Sequence, residues 1–138
     1  AGIAHVVEPD IKRRMWTKLM MNVGVNQTCM VYGGTYGSAT ERGSEQRRNL
    51  VAAMREARVV ANAEGIAIAE ADLSQMVELL ETLDPAGMPS MAQDRIARRK
   101  TEVEEFSGTI CRLAAEHGIE VPQNEWLYQR IREIEASW

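Results

Sequence analysis

Apolar residues recur at helical spacing along nearly the whole chain, and five helical segments can be read from them. The first opens near Glu8-Pro9-Asp10, where a proline and acidic residues suit a first turn, and runs to about Tyr32, where Gly33-Gly34 stops it. The stretch from Gly33 to Ser38 reads as a loop. The second helix starts at Ser44, a plausible N-cap, carries Leu50, Met54, Ala57, Val60 and Ala61 on one face, and is broken by Gly65. The third begins at Asp72, carries Leu73, Met76, Val77, Leu80 and Leu83, and ends before the turn signature Asp84-Pro85-Ala86-Gly87. The fourth is the longest. It opens after Pro89 with Ser90 and Gln93 as a capping box, carries Ile96, Val103, Phe106, Ile110, Leu113 and Ala114, and ends at His117-Gly118. The last follows Pro122-Gln123-Asn124 with Trp126, Leu127, Ile131 and Ile134. Ile3 to Val7 and Ile66 to Ile68 are short enough to be brief strands, but no pattern of several strands exists. The pattern therefore predicts an all-α fold, a single helical-bundle domain of about five helices.

One stretch departs from simple amphipathicity. From Trp16 to Val31 apolar residues point in almost every direction and Lys18 is the sole charge, so this helix is expected to be largely buried. Lys18, Asn22 and Asn26 stand at i, i+4 and i+8 and share one face. A buried lysine and two buried carboxamides are costly unless paired, so a partner is required: protein groups or a ligand. Desolvation would lower the lysine pKa and suit it to proton transfer, and carboxamides suit a polyoxygenated substrate. The alternative is a helix–helix polar contact with Lys18 reaching out at the edge. Gly24 beside the stripe costs about 1 kcal/mol of helix stability relative to Ala, which points to a close backbone or ligand approach.

Further along, Ser90 stands at a helix opening whose free N–H groups make an anion site, or it merely caps the helix. Glu102, next to apolar Val103, sits at the edge of the buried face or pairs with Arg98 on a solvated one. The run Arg95, Arg98, Arg99, Lys100 reads as a solvated face balanced by Glu102, Glu104 and Glu105. The glycines from Gly33 to Gly37 follow a helix, and no GxGxxG occurs in the chain, so no dinucleotide fingerprint is present.

Composition narrows the picture. The 138 residues suit one domain, and with a single Phe the core must come from Ala, Met, Val, Ile and Leu. A formal net charge of −4 opposes a general nucleic-acid binder. No run approaches the length of a membrane span, no helix has the cationic amphipathic pattern of a membrane-surface element, and no signal peptide is visible. Cys29 and Cys111 read as buried free thiols of a cytoplasmic protein, and His5 and His117 are too few and too far apart for zinc. No metal is expected.

Taken together, Trp16-Thr17-Lys18-Leu19 with Asn22 and Asn26, then Pro89-Ser90-Met91-Ala92-Gln93-Asp94, then Arg99-Lys100-Thr101-Glu102, resemble the C-terminal domain of the ketopantoate reductase (2-dehydropantoate 2-reductase) family. Gly108, Ala115, His117-Gly118-Ile119 and Val121-Pro122-Gln123-Asn124 extend the match from about Ile11 to Ile134. The resemblance implies a bundle similar to the C-terminal domains of 6-phosphogluconate dehydrogenase-like reductases. It implies Lys18 as the catalytic general acid toward a ketone oxygen, and Glu102 as the acid that binds substrate hydroxyls and helps place the lysine. It implies Asn22, Asn26 and Ser90 as substrate-binding residues, and reduction of ketopantoate to pantoate by NADPH. On this view residues 1–138 form the substrate-binding domain, the N-terminal Rossmann domain of the family is absent, and this chain alone binds no cofactor and is not competent. A further pocket asparagine common in the family has no counterpart near Tyr36 before Asn49, which leaves the particular 2-keto acid open. The expected partners are a small 2-keto acid, the missing Rossmann domain and a second copy in a homodimer. The competing reading is a stand-alone helical dimerisation or interaction module without catalytic activity.

Overall fold

The computed structural model describes the backbone of residues 2–138 and the side chains from Asp10 onward. Among the described residues there are eight α-helices and one π-helical turn, and no strand. The helices are α1 Gly2–Met21, α2 Gln27–Tyr32, α3 Tyr36–Thr40, α4 Glu45–Ala63, α5 Glu70–Glu81, α6 Ser90–Ala97, α7 Ser107–His117 and α8 Pro122–Ala136, with the π turn at Asn22–Asn26. The all-α class holds. The His5 side chain lies outside the described residues.

The expected first helix is the continuous run α1, π turn and α2. It begins at Gly2, ahead of the expected opening at Glu8-Pro9 and across the segment Ile3 to Val7. Gly33 ends it in the left-handed conformation, with the Gly34 N–H bonded back to the Cys29 carbonyl. From Val23 to Val31 every residue is buried, because α4, α6 and α8 pack around this stretch. Gly24 explains the close fit. A Cβ there would stand 2.6 Å from Met54 Cγ and 3.2 Å from the Leu50 carbonyl of α4. Against it α4 presents Leu50, Ala53, Met54, Ala57, Val60 and Ala61, all fully buried. The Ser44 hydroxyl caps α4 by accepting from the Arg47 N–H, as its sequence position predicts.

Three expectations need correction. The loop after Gly33 contains the short helix α3, capped reciprocally by Thr35 and Ser38 and bonded through Tyr36 and Gly37 N–H to the carbonyls of Gly87 and Pro85. The segment Ile66 to Ile68 is irregular, not a strand, and α5 starts at Glu70. The long fourth helix is two helices. Arg98 adopts the left-handed conformation (φ 55°), the Arg99 N–H closes back on the Asp94 carbonyl, and α7 starts only at Ser107. Ile96, counted on the apolar stripe, is 70% exposed. The reason lies in α8: Glu135 accepts both the N–H and the hydroxyl of Thr101, at 2.7 and 2.8 Å, which draws the chain out of helical register. Ser90 therefore opens α6 rather than capping a longer helix, and Pro89 is the N-cap residue, without a side-chain cap.

Candidate active site

Asn22 opens the π turn and Asn26 closes it. The Asn26 Nδ2 donates to Asn22 Oδ1 at 2.8 Å. Its Oδ1 accepts from the Ser90 hydroxyl at 3.3 Å and from the Met91 N–H at 3.1 Å. Asn26, only 7% exposed, thus supplies from another helix the acceptor that the first turn of α6 lacks. Three of the five residues singled out in the sequence are joined in one hydrogen-bonded chain. A π turn suits this task because its looser winding changes which side chains share a face, and such turns recur at functional sites.

Lys18 and Glu102 are held differently. Lys18 lies in the last turn of α1, one turn before Asn22, and its side chain is exposed rather than buried as the sequence suggested. The cause is that α1 emerges from the bundle: Asp10 to Met15 are exposed as well. Glu102 is exposed in the turn between α6 and α7, between buried Thr101 and Val103. Neither side chain makes a hydrogen bond or ion pair among the described residues, so the pairing of Glu102 with Arg98 is not formed. No such contact joins either of them to Asn22, Asn26 or Ser90. An apolar groove of about 360 Å³ is lined by Lys12, Met15, Trp16, Leu19 and Thr109, without Lys18.

Sequence reasoning missed a buried polar network that reaches the π turn through Gln27. Gln27, Ser107 and Asn124 are fully buried. Gln27 bonds the Val23 carbonyl and the Ser107 N–H, and Asn124 bonds Ser107, the Ala53 carbonyl and Glu56. The available signal was the run Asn26-Gln27-Thr28 in an otherwise apolar helix, which puts buried polar groups on more than one face. Asn49 is also committed internally, to Tyr32 and Gln123. The two thiols are free. Burial pushes Cys29 up to about 12, and burial with help from Glu125 and Glu56 pushes Cys111 up to about 11, so neither is a nucleophile near neutral pH.

The described residues hold no group of side chains suited to a metal ion, and no helix among them is long and apolar enough to cross a membrane. The glycines from Gly33 to Gly37 link α2 to α3 with no strand before them, so they form no phosphate cradle.

Residues 10–135 match the family described as ketopantoate reductase PanE/ApbA C terminal. The 2-dehydropantoate 2-reductase of Vibrio cholerae is 31% identical over 130 residues, covering 94% of this chain and 43% of that protein. The Caulobacter vibrioides enzyme of the same name is 34% identical over 121 residues, 87% of this chain and 40% of its own length. This chain therefore spans less than half the length of these relatives. Among solved structures, the Ralstonia eutropha ketopantoate reductase superposes with a TM-score of 0.79 at 30% identity, over 88% of this chain and 40% of that one. The dimeric ketopantoate reductase of Staphylococcus aureus reaches 0.85 at 24% identity, over 92% and 44%, a likeness of fold. The match in residues 10–135 and the shared bundle establish that the chain belongs to the ketopantoate reductase C-terminal domain family.

Proposed function

We propose that this chain is the substrate-binding part of an NADPH-dependent 2-keto acid reductase acting on ketopantoate, with Lys18 as its general acid. The observation that carries this reading is the joined chain Asn22, Asn26 and Ser90, with an unpaired lysine one turn away. The Asn26 carboxamide is engaged on both of its polar atoms, which leaves Asn22 Nδ2 as the free end of the chain for a substrate oxygen. The Ser90 hydroxyl and the start of α6 suit the substrate carboxylate. As the keto carbon is reduced, negative charge grows on its oxygen; the Lys18 ammonium stabilises that charge and then supplies the proton. Glu102 binds substrate hydroxyls and helps orient the lysine. The cofactor is held outside this chain, which offers no cradle for it, so the chain alone turns nothing over. Two free thiols fit a cytoplasmic setting.

The test is a hybrid in which the whole chain is fused to the part of the Vibrio cholerae relative that it does not cover. The hybrid reduces ketopantoate with NADPH. Lys18→Ala lowers kcat by about a hundredfold or more while the protein stays folded. A hybrid unaffected by Lys18→Ala refutes the assignment.

Self-association through the long helices belongs to the same proposal. Ile11 and Met15 stand 43% and 65% exposed on α1, an apolar surface suited to a second copy. Light scattering is expected to give a dimer mass, and a monomer mass at high concentration refutes it.

A further inference from the structure

Gln27 has no part in the proposed chemistry, yet both ends of its side chain are committed inside the core. It is fully buried at the first position after the π turn. Its Nε2 donates to the Val23 carbonyl at 2.8 Å, inside the turn that Asn22 and Asn26 bound. Its Oε1 accepts from the Ser107 N–H at 3.0 Å. Ser107 is the first residue of α7, and the first N–H groups of a helix have no partner within it. One side chain thus ties the asparagine-bearing turn to the start of a helix that is 80 residues away in sequence.

The turn before that helix carries Glu102. Its carbonyl accepts from the N–H groups of Glu105 and Phe106 at 3.0 and 3.1 Å, so its backbone is continuous with the start of α7. On the other side, Thr101 is fastened to Glu135 of α8. Glu102 is therefore exposed but sits between two fixed points. The α8 anchor involves neither asparagine. The Ser107 hydroxyl continues to Asn124, and from there to Ala53 and Glu56, again away from the asparagine pair. Gln27 is the direct hydrogen-bonded link between the π turn and the segment that holds Glu102.

We infer that Gln27 is a positioning residue, which sets the placement of Glu102 relative to Asn22 and Asn26. The inference rests on the proposed function, in which these groups act on one keto acid. Displacements of about 1 Å in such an arrangement cost on the order of a hundredfold in rate.

The experiment uses the same hybrid reductase, with Gln27→Met, which keeps an unbranched side chain of similar length and removes both hydrogen bonds. Folding is checked by circular dichroism at the assay temperature. The expected result is a fall of about tenfold to a hundredfold in kcat/KM for ketopantoate, with KM for NADPH unchanged. A folded variant that melts earlier but keeps kcat and KM for ketopantoate within about twofold of the parent has only a structural glutamine, and overturns the inference. If Gln27→Met does not fold, Gln27→Glu is measured instead. Its carboxylate still accepts from Ser107 but donates to Val23 only when protonated. Its deficit relative to the parent is then expected to shrink as the pH is lowered, and a parent-like rate at all pH values overturns the inference. A parent hybrid that does not reduce ketopantoate at all defeats the proposed function itself, a result distinct from a loss confined to the Gln27 variants.

Discussion

Two consecutive stretches of one helical run behave as different materials. From Asp10 to Lys18 the chain is mostly exposed, and it is tied down at Arg13, which bonds the Ala67 carbonyl and pairs with Asp72 at 2.9 Å. From Met20 to Val31 it is the centre of the core, with α4, α6 and α8 packed around it and buried carboxamides bonded at both ends. The candidate residues divide along the same line. Asn22 and Asn26 belong to the fixed stretch, and Lys18 to the exposed one. An orienting group gains from being immobile, since each lost degree of freedom is settled in folding rather than in binding. An exposed lysine such as Lys18 keeps its charged end in water, so holding it there costs the fold no desolvation.

The strongest way to break this contrast is to compare stability losses on the two sides of the boundary. Asn26→Ala leaves the buried Met91 N–H without an acceptor and releases Ser90 and Asn22, at an expected cost of about 1–3 kcal/mol. Asn26→Asp keeps the acceptor and is expected to recover part of that loss. Lys18→Ala, at an exposed position without partners, is expected to stay within about 0.5 kcal/mol of the parent. Urea denaturation of the 138-residue chain measures all three. Equal losses for Asn26→Ala and Lys18→Ala would mean that the two stretches are not held differently.

The same contrast marks what the sequence could show. Periodicity gave the second helix almost whole, because Ser44, the stripe from Leu50 to Ala61 and Gly65 all report on local structure. It gave Gly24 a close approach, which turned out to be Met54 and Leu50 of α4. It failed where a distant residue decides. The break at Arg98 depends on Glu135, 34 residues beyond Thr101, and the only local hint was the gap of seven between Ile96 and Val103. The exposure of Lys18 depends on where the bundle ends, which the apolar neighbours Trp16 and Leu19 concealed. The π turn has no residue signature of its own. The i, i+4 spacing put Asn22 and Asn26 on one face, and the partner each was expected to need is in part the other. Their partner on α6 was within reach of no local rule.

A smaller loss than that at Asn26 is expected at the tether of the exposed stretch. Asp72 accepts the Ala69 N–H at 2.7 Å and pairs with Arg13, so it fastens α1 to the start of α5. That backbone hydrogen bond, then the Arg13 guanidinium, hold its carboxyl below its ordinary value of 3.8. An acid whose folded pKa is depressed stabilises the fold above its unfolded pKa, and the contribution is lost as pH falls through the folded value. Asp72→Asn is therefore expected to cost about 0.5–1 kcal/mol near neutral pH, with the difference from the parent closing as pH drops below about 3.8. Added salt reaches only the Arg13 part of this, because the pair is partly exposed while the bond to Ala69 is local. Urea melts of both proteins between pH 7 and 3 measure the difference. If it persists unchanged at the acid end, the carboxylate charge is not what holds Asp72 to Ala69 and Arg13. The exposed stretch would then owe its attachment to contacts other than this carboxylate, the Arg13 bond to the Ala67 carbonyl among them.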